Sequence, residues 1–394
     1  MKSPLLYFDH AATTPTDPAV LEAMLPYFGG RFGNASSAHG AGREAIKAVD
    51  EAREAVAKAI GAEIHEIYFT SGGTESDNWA IEGIAEAYPD KKHLISSKIE
   101  HPAVLRSLER LEKRGYEITY LTPDASGRVD PLHAVKAMRE DTLLVSLMLA
   151  NNETGVIQPV REIFLEAKSR GILTHTDAVQ AVGAIPVDVK VLGADLLSLS
   201  AHKFYGPKGV GALFVRKGIK IRGFLLGGEQ ERGLRGGTYN TPAIVGLGAA
   251  ISLAASTIEE RGKKLALLKE YFLTKLSERL PFVKRNGGEP ALPATVNLLF
   301  YGVKNTDLLA ALDREGIAAS AGSACASGSV EPSHVLTAMG LSPSEVRSSL
   351  RFSFGKDNTT EEVDRAVDCL VEKVNRLRGD KDLFLPIEQG SIES

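Results

Sequence analysis

The sequence predicts an α/β fold: a mainly parallel sheet with helices on both faces, followed by a smaller α+β domain. Three observations predict it. From residue 66 to residue 215, short apolar runs alternate with segments whose apolar residues recur every three or four positions. Those runs are rich in Val, Ile and Leu with little polar alternation, as strands covered on both faces are. Beyond residue 257 a long amphipathic stretch and more widely spaced strand signals take over.

The elements follow in order. Residues 5–9 form a short extended run, and Ala12-Thr-Thr-Pro15 is a turn that caps a helix over 18–28. The loop 29–39 is too rich in Gly, Asn and Ser to pack, which makes it a candidate binding loop. Ile46, Val49, Ala52, Val56 and Ile60 mark an amphipathic helix over 43–60. A strand over 66–70 leads through Ser71-Gly-Gly-Thr74 into a helix beginning near Glu75. Backbone N–H groups and a hydroxyl then meet at a positive helix end, which suits a phosphate. The pattern lacks the spacing of dinucleotide and P-loop motifs, so a plain glycine turn reads equally well.

Strands over 93–97, 117–121, 143–149, 173–176 and 194–200 alternate with helices over 102–113, 131–138 and 161–170, the second with Asp130 as cap and Pro131 at its first position. In such sheets ligands sit outside the carboxyl ends of the strands. That singles out Thr74, His101, Asn152, Asp177, Gln180 and Lys203. After the run 210–215, the glycine-rich loop 226–240 is long enough to expect a role. The helical region from Thr241-Pro242 to about 280 changes direction near 256–260. Strands over 294–301, 317–320 and 349–354, the last bearing Arg351, then mix with helices over 306–316, 333–339 and 360–378. Thr359 and Glu362 have capping-box spacing.

The totals bound this reading. A chain of 394 residues suits about two domains. We expect a large one over 15–256 and a smaller one formed by 1–14 with 257–394. A net charge of −4 gives no support for nucleic-acid or anionic-membrane binding. Two cysteines, Cys325 and Cys369, are too few for a disulfide scaffold and lack zinc spacing. No apolar run reaches about 18 residues, and the start resembles no export signal, so a cytoplasmic protein with reduced thiols is expected.

Ser200, His202 and Lys203 place a hydroxyl, an imidazole and an amine at the end of one apolar run. A lysine at a buried strand's mouth beside another cationic group is poorly hydrated, which frees a neutral amine for chemistry. Taken singly, Lys203 reads as a solvated turn residue and Asp177 as a strand-end acid capping a neighbouring helix. Together with the nest at Gly73–Thr74 they are the parts pyridoxal phosphate needs: a Schiff-base lysine, a carboxylate for the pyridine nitrogen and a phosphate cradle.

The same residues resemble the NifS/IscS-like cysteine desulfurases, within the class-V aminotransferases and the fold-type I, aspartate aminotransferase-like pyridoxal-phosphate enzymes. The stretches that carry the resemblance are Tyr7-Phe-Asp-His-Ala-Ala-Thr-Thr-Pro15, Phe69-Thr-Ser-Gly-Gly-Thr-Glu-Ser76, Glu100-His101 and Ala150-Asn-Asn-Glu-Thr-Gly155. They continue with His175-Thr-Asp-Ala-Val-Gln180, Ser200-Ala-His-Lys203, Gln230-Glu-Arg-Gly-Leu-Arg-Gly-Gly-Thr238, Ser320-Ala-Gly-Ser-Ala-Cys325 and Leu350-Arg-Phe-Ser353. They keep the family order and span nearly the whole chain.

The resemblance implies that Lys203 carries the cofactor, Asp177 pairs with its ring nitrogen and His101 stacks on the ring. It implies further that Asn152 and Gln180 touch the ring's polar atoms, while Gly73, Thr74, Ser200 and His202 hold the phosphate. Thr238 reaches the site of the second subunit in a homodimer. Arg351 takes the substrate carboxylate, with Asn34 a second contact. Cys325, in a run of small residues, attacks the sulfur of L-cysteine, leaving L-alanine and an enzyme persulfide for iron–sulfur assembly or tRNA thiolation. His101 is the first candidate for the base that assists it. Another lyase or aminotransferase of this fold, or a non-catalytic scaffold for sulfur-acceptor proteins, are the alternatives.

Overall fold

The structure, a computed structural model, describes residues 5–322 and 332–379. A two-residue strand β1 (Leu6–Tyr7) is followed by β2 (Ile67–Thr70), β3 (His93–Ser97), β4 (Glu117–Leu121), β5 (Thr142–Ser146), β6 (Leu173–Asp177), β7 (Leu196–Ser200) and β8 (Gly211–Val215). Strands β2 to β8 form one seven-stranded sheet in the order β2-β8-β7-β6-β5-β3-β4. Every pair from β4 to β7 is parallel, but β8 runs antiparallel to both β7 and β2. The reversal has a local cause. The segment 201–210 joining β7 to β8 is shorter than the dozen or so residues a parallel crossover needs.

The helices on this sheet are α1 (Pro18–Met24), α2 (Gly40–Ile60), α3 (Gly73–Ala87), α4 (Pro102–Glu112), α5 (Pro131–Ala137), α6 (Val160–Ser169), α7 (Val189–Leu192) and α8 (Thr241–Ser256). Trp79 and Ile84 of α3 and Leu108 of α4 pack on Leu144, Leu196 and Leu213 of one sheet face. Val49 and Val56 of α2, Phe164 of α6 and Leu247 of α8 pack with Val145 and Leu197 of the other. Both faces are therefore dry, which is why the strands read as continuous apolar runs.

Past α8 the chain bends by 72° at Thr257 into α9 (Ile258–Arg279). Strands β9 (Val283–Asn286), β10 (Thr295–Phe300) and β12 (Ser349–Ser353) make a three-stranded antiparallel sheet; β11 (Ile317–Ala318) pairs instead with β1. The remaining helices are α10 (Asn305–Arg314), α11 (His334–Ala338), α12 (Pro343–Val346) and α13 (Thr360–Arg378). Phe272, Phe300, Phe352 and Leu370 form the core here, and it also takes Leu6 and Phe8 from the chain's start. Residues 9–12 thereby run from this core to the rim of the large sheet, and Asp9 bridges to Ser353.

Three local expectations change. The helix expected over 18–28 ends at Met24, and Leu25–Phe28 tightens into a 3-10 turn at Pro26, which lacks an N–H to continue the α-helix. Helix α3 begins at Gly73 rather than near Glu75. The four-residue elements β9, α7 and α12 are too short to show a period in the sequence. Among the described residues no single helix is long and apolar enough to cross a membrane.

Candidate active site

The carboxyl ends of β6 and β7, the start of α3 and the strand-end loop after β5 converge on a cavity of about 180 Å³. Gly73, Thr74, His101, Asn152, Asp177, Gln180, Ser200, His202, Lys203 and Arg351 all line it. The rim rule for parallel sheets thus brings most of the expected set together. Asn34 is not brought in. It is exposed, and its Oδ1 accepts from the Ser36 amide at 2.9 Å, closing a local turn. Thr238 is also exposed and lies away from this cavity. Cys325 falls outside the described residues.

One end of the cavity is built for an anion. Gly72 caps α3 without a side-chain acceptor, so the first-turn N–H groups of Gly73 and its successors stay open at the positive helix end. A Cβ at Gly73 would sit 2.7 Å from Val179 Cγ2, so glycine is what lets the turn approach the strand end after β6. Ser200 and His202 close the other side. Burial lowers His202 to about 4, with Lys203 and Lys208 acting the same way, so its imidazole is neutral at pH 7. Its Nδ1 faces Thr13 Oγ1 at 3.1 Å. The expectation of a second cation beside Lys203 is therefore corrected. The neighbour is a neutral ring, because charging it so close to Lys203 in a half-dry site is unfavourable.

The amine and the acid line the same cavity. Lys203 Nζ donates to the carbonyl oxygens of Ala11 and Ala12 at 2.6 and 2.9 Å. Gln180 Nε2 donates to the same Ala11 oxygen at 3.0 Å. Asp177 is buried, and its Oδ1 accepts from the Val179 amide at 2.9 Å. Burial raises its proton affinity, while His101, that amide and Lys203 act against the rise. His101 caps α4 through Nδ1, which accepts from the Ala103 amide at 3.1 Å. Burial lowers its pKa, opposed by Asp177, so the ring is neutral and carries its hydrogen on Nε2. That leaves no ring lone pair for the cavity. His101 suits stacking better than proton abstraction.

Arg351, at the middle of β12, is 1% exposed and reaches the cavity from the smaller core. Nη1 donates to the Asn152 carbonyl at 2.7 Å and Nη2 to Asp9 Oδ1 at 2.7 Å. Its Nε finds no partner among the described residues. A buried guanidinium on a cavity wall with one N–H unspent among the described residues has the capacity to take a carboxylate.

Sequence reasoning passed over three buried groups beside this site. Asp77 on α3 lines the cavity itself. Glu100 accepts from Ser97 Oγ at 2.5 Å and from the Met148 amide, and burial pushes it up to about 8. His175, two residues before Asp177, is held between Ser146 Oγ and Ser198 Oγ, and burial lowers it to about 3. A usable signal existed for Asp77. It stands in helical register with Ala80, Ile81 and Ile84, all fully buried.

An amine, a carboxylate and an open helix N-terminus around one cavity fit pyridoxal phosphate, and a sheet of this topology with that donor set defines a pyridoxal-phosphate-dependent enzyme. The aminotransferase class-V profile matches residues 6–366, and the chain belongs to that family. It is 51% identical over 375 residues to "Cysteine desulfurase IscS" of Methanosarcina thermophila, covering 95% of this chain and 93% of the relative. The protein of the same name from Dictyoglomus turgidum is 50% identical, with 95% of each chain covered. Among solved structures, a "NIFS-LIKE PROTEIN" superposes with a TM-score of 0.88 at 39% identity, covering 93% of this chain and 98% of the other.

Proposed function

We propose that the chain is a cysteine desulfurase that takes sulfur from L-cysteine, releasing L-alanine and leaving a persulfide on Cys325. The observation that carries the reading is the convergence of Lys203, Asp177, the α3 terminus and Arg351 on one cavity. Nearly full-length similarity to proteins named cysteine desulfurase supports it.

Pyridoxal phosphate, when bound, supplies an electron sink for negative charge at the substrate α-carbon. The chain's residues do the rest. Ser200, His202, Gly73 and Thr74 hold the phosphate end. Lys203 would hold the cofactor, and its amine would serve to move the substrate α-proton. Asp177 would pair with the ring nitrogen and favour its protonated form, and the neutral ring of His101 would stack on the cofactor. Gln180 and Asn152 fix polar atoms nearby. Arg351 takes the substrate carboxylate, which orients the substrate thiol for attack. The tied Nδ1 of His101 favours another group for the deprotonation of Cys325.

The domain over 15–256 holds the cofactor, and 1–14 with 257–394 carries Arg351 and Cys325. A second copy of the chain receives Thr238 from the exposed loop 226–240. The persulfide passes to a sulfur-acceptor protein, an iron–sulfur scaffold or a tRNA-thiolation carrier. The test is Cys325→Ala. It should keep the yellow cofactor absorbance and lose alanine release from cysteine under reductant, and the wild type treated with cysteine should gain one sulfur atom at Cys325 by mass spectrometry. Alanine release at the wild-type rate from the variant overturns the reading, and keto-acid formation in its place favours an aminotransferase.

A further inference from the structure

Asp77 is 1% exposed and lies on the cavity wall, yet among the described residues no Lys or Arg pairs with it. The nearest candidate is His175, whose Nε2 is 3.7 Å from Asp77 Oδ1, beyond a hydrogen bond. His175 is also neutral, since its burial holds it at about 3. Oδ1 of Asp77 has no hydrogen-bond partner among the described residues. The groups acting on Asp77 are the Ser198 hydroxyl of β7, the carboxyls of Asp177 on β6 and of Glu100 before α4, and the His175 ring. One of these is a hydroxyl, one a neutral ring and two are acids. A lone carboxylate in such a place is strongly disfavoured, whereas a carboxylic acid is not.

Asp177 differs in each respect. It receives the Val179 amide, and the Lys203 ammonium favours its charged form. Two carboxyls on the wall of one cavity lose their first proton from the member with the better partners. We propose that Asp77 is the proton-holding half of a carboxyl pair with Asp177, a positioning residue that leaves the pair's single negative charge on the carboxylate beside Lys203. Ser198, His175 and Ser146 extend from Asp77 as a hydrogen-bonded row across β7, β6 and β5, all neutral, and so add no competing charge.

The inference rests on the cofactor reading above for its consequence, but not on cysteine being the substrate. Its test uses the purified full chain in three forms: wild type, Asp77→Asn and Asp77→Leu, with Asp177→Asn as comparison. Infrared spectra of the cofactor-free protein at pH 7 report protonated carboxyls directly, and Glu100→Gln identifies the band of the other buried acid. One carboxylic acid band should vanish in Asp77→Asn. Titration of cofactor absorbance against pH then reads the charge at Asp177. Asp77→Asn, neutral and able to hydrogen-bond, should keep the wild-type profile and bind cofactor within about threefold of the wild type. Asp77→Leu should fold but displace the profile, because the dipole beside Asp177 is gone. Asp177→Asn should lose about a hundredfold in cofactor affinity. An acid band unchanged in Asp77→Asn, or a loss of cofactor in Asp77→Asn equal to that in Asp177→Asn, overturns the proposal. A protein that binds cofactor normally but releases no alanine sinks the desulfurase reading and leaves this one standing.

Discussion

Arg351→Lys is the substitution whose effect the structure fixes most closely. The change keeps one positive charge but removes the planar fork. Arg351 donates to the Asn152 carbonyl and to Asp9, and its Nε–H has no partner among the described residues, which leaves it unspent for the substrate carboxylate proposed above. A lysine ammonium cannot satisfy Asp9 and Asn152 and still offer a side-on pair. The loss is about one charge-assisted hydrogen bond, ~2 kcal/mol. Because this contact is made equally before and during the chemical step, the loss falls on KM: a rise of about 30-fold for L-cysteine with kcat within about threefold. Asp9 is 18% exposed and can recruit water, so melting should move little. The discriminating measurement uses cysteamine, which lacks the carboxylate. Wild type should bind cysteine far more tightly than cysteamine, and Arg351→Lys should compress that ratio by the same 30-fold. A folded variant whose KM for cysteine changes less than about twofold refutes the assignment of Arg351 to the substrate carboxylate.

Acid should unfold this protein partly through His175. Its native pKa lies at about 3, below the ordinary histidine value, so the native state binds fewer protons than the unfolded chain. The contribution is complete above about pH 6.5 and is lost as pH falls toward 3, reaching about 2 kcal/mol at pH 5. Urea unfolding of cofactor-free protein at pH 8 and pH 5 measures it, and His175→Gln should flatten the curve by about one proton. Arg53 and Glu231 form a buried bidentate pair at 2.8 and 2.9 Å that ties the loop 226–240 to α2. Arg53→Met strands the Glu231 carboxylate, and thermal unfolding should report a loss of about 3–5 kcal/mol. Gly73→Ala should overpack Val179 and cost about 1–2 kcal/mol in the same assay, with Val179→Ala restoring most of it in the double variant.

Much of the site was legible because parallel sheets place function at one rim. Once 93–97, 173–176 and 194–200 read as strands, His101, Asp177 and Lys203 had to lie near one another, whatever the loops did. The antiparallel turn of β8 was less legible, since apolar runs buried on both faces carry no sign of direction. It follows from the short 201–210 link, a length argument that the sequence does contain. Asn34 lies outside the cavity lining for a different reason. A polar loop can bind a ligand or cap itself, and composition is the same in both cases; here Oδ1 is spent on Ser36. The role of β1 was hidden too, because two residues are too few to show which sheet they join.

Protonation states are the part that residue identity cannot carry. His101, His175 and His202 read in the sequence as potential acids, bases or cations, yet burial leaves all three neutral. Asp77 and Asp177 read alike as acids after a Thr or a Ser, and only their surroundings separate them: an amide, Lys203 and His101 around one, and an unpartnered oxygen with neutral or acidic neighbours for the other. The site therefore keeps few charges where the sequence suggests many. Lys203, Asp177 and the Arg351–Asp9 pair are the ones with polar partners suited to a charged form. Such economy matters for a cavity proposed to admit a phosphate and a zwitterionic substrate, because each further fixed charge in a dry site would repel one of them.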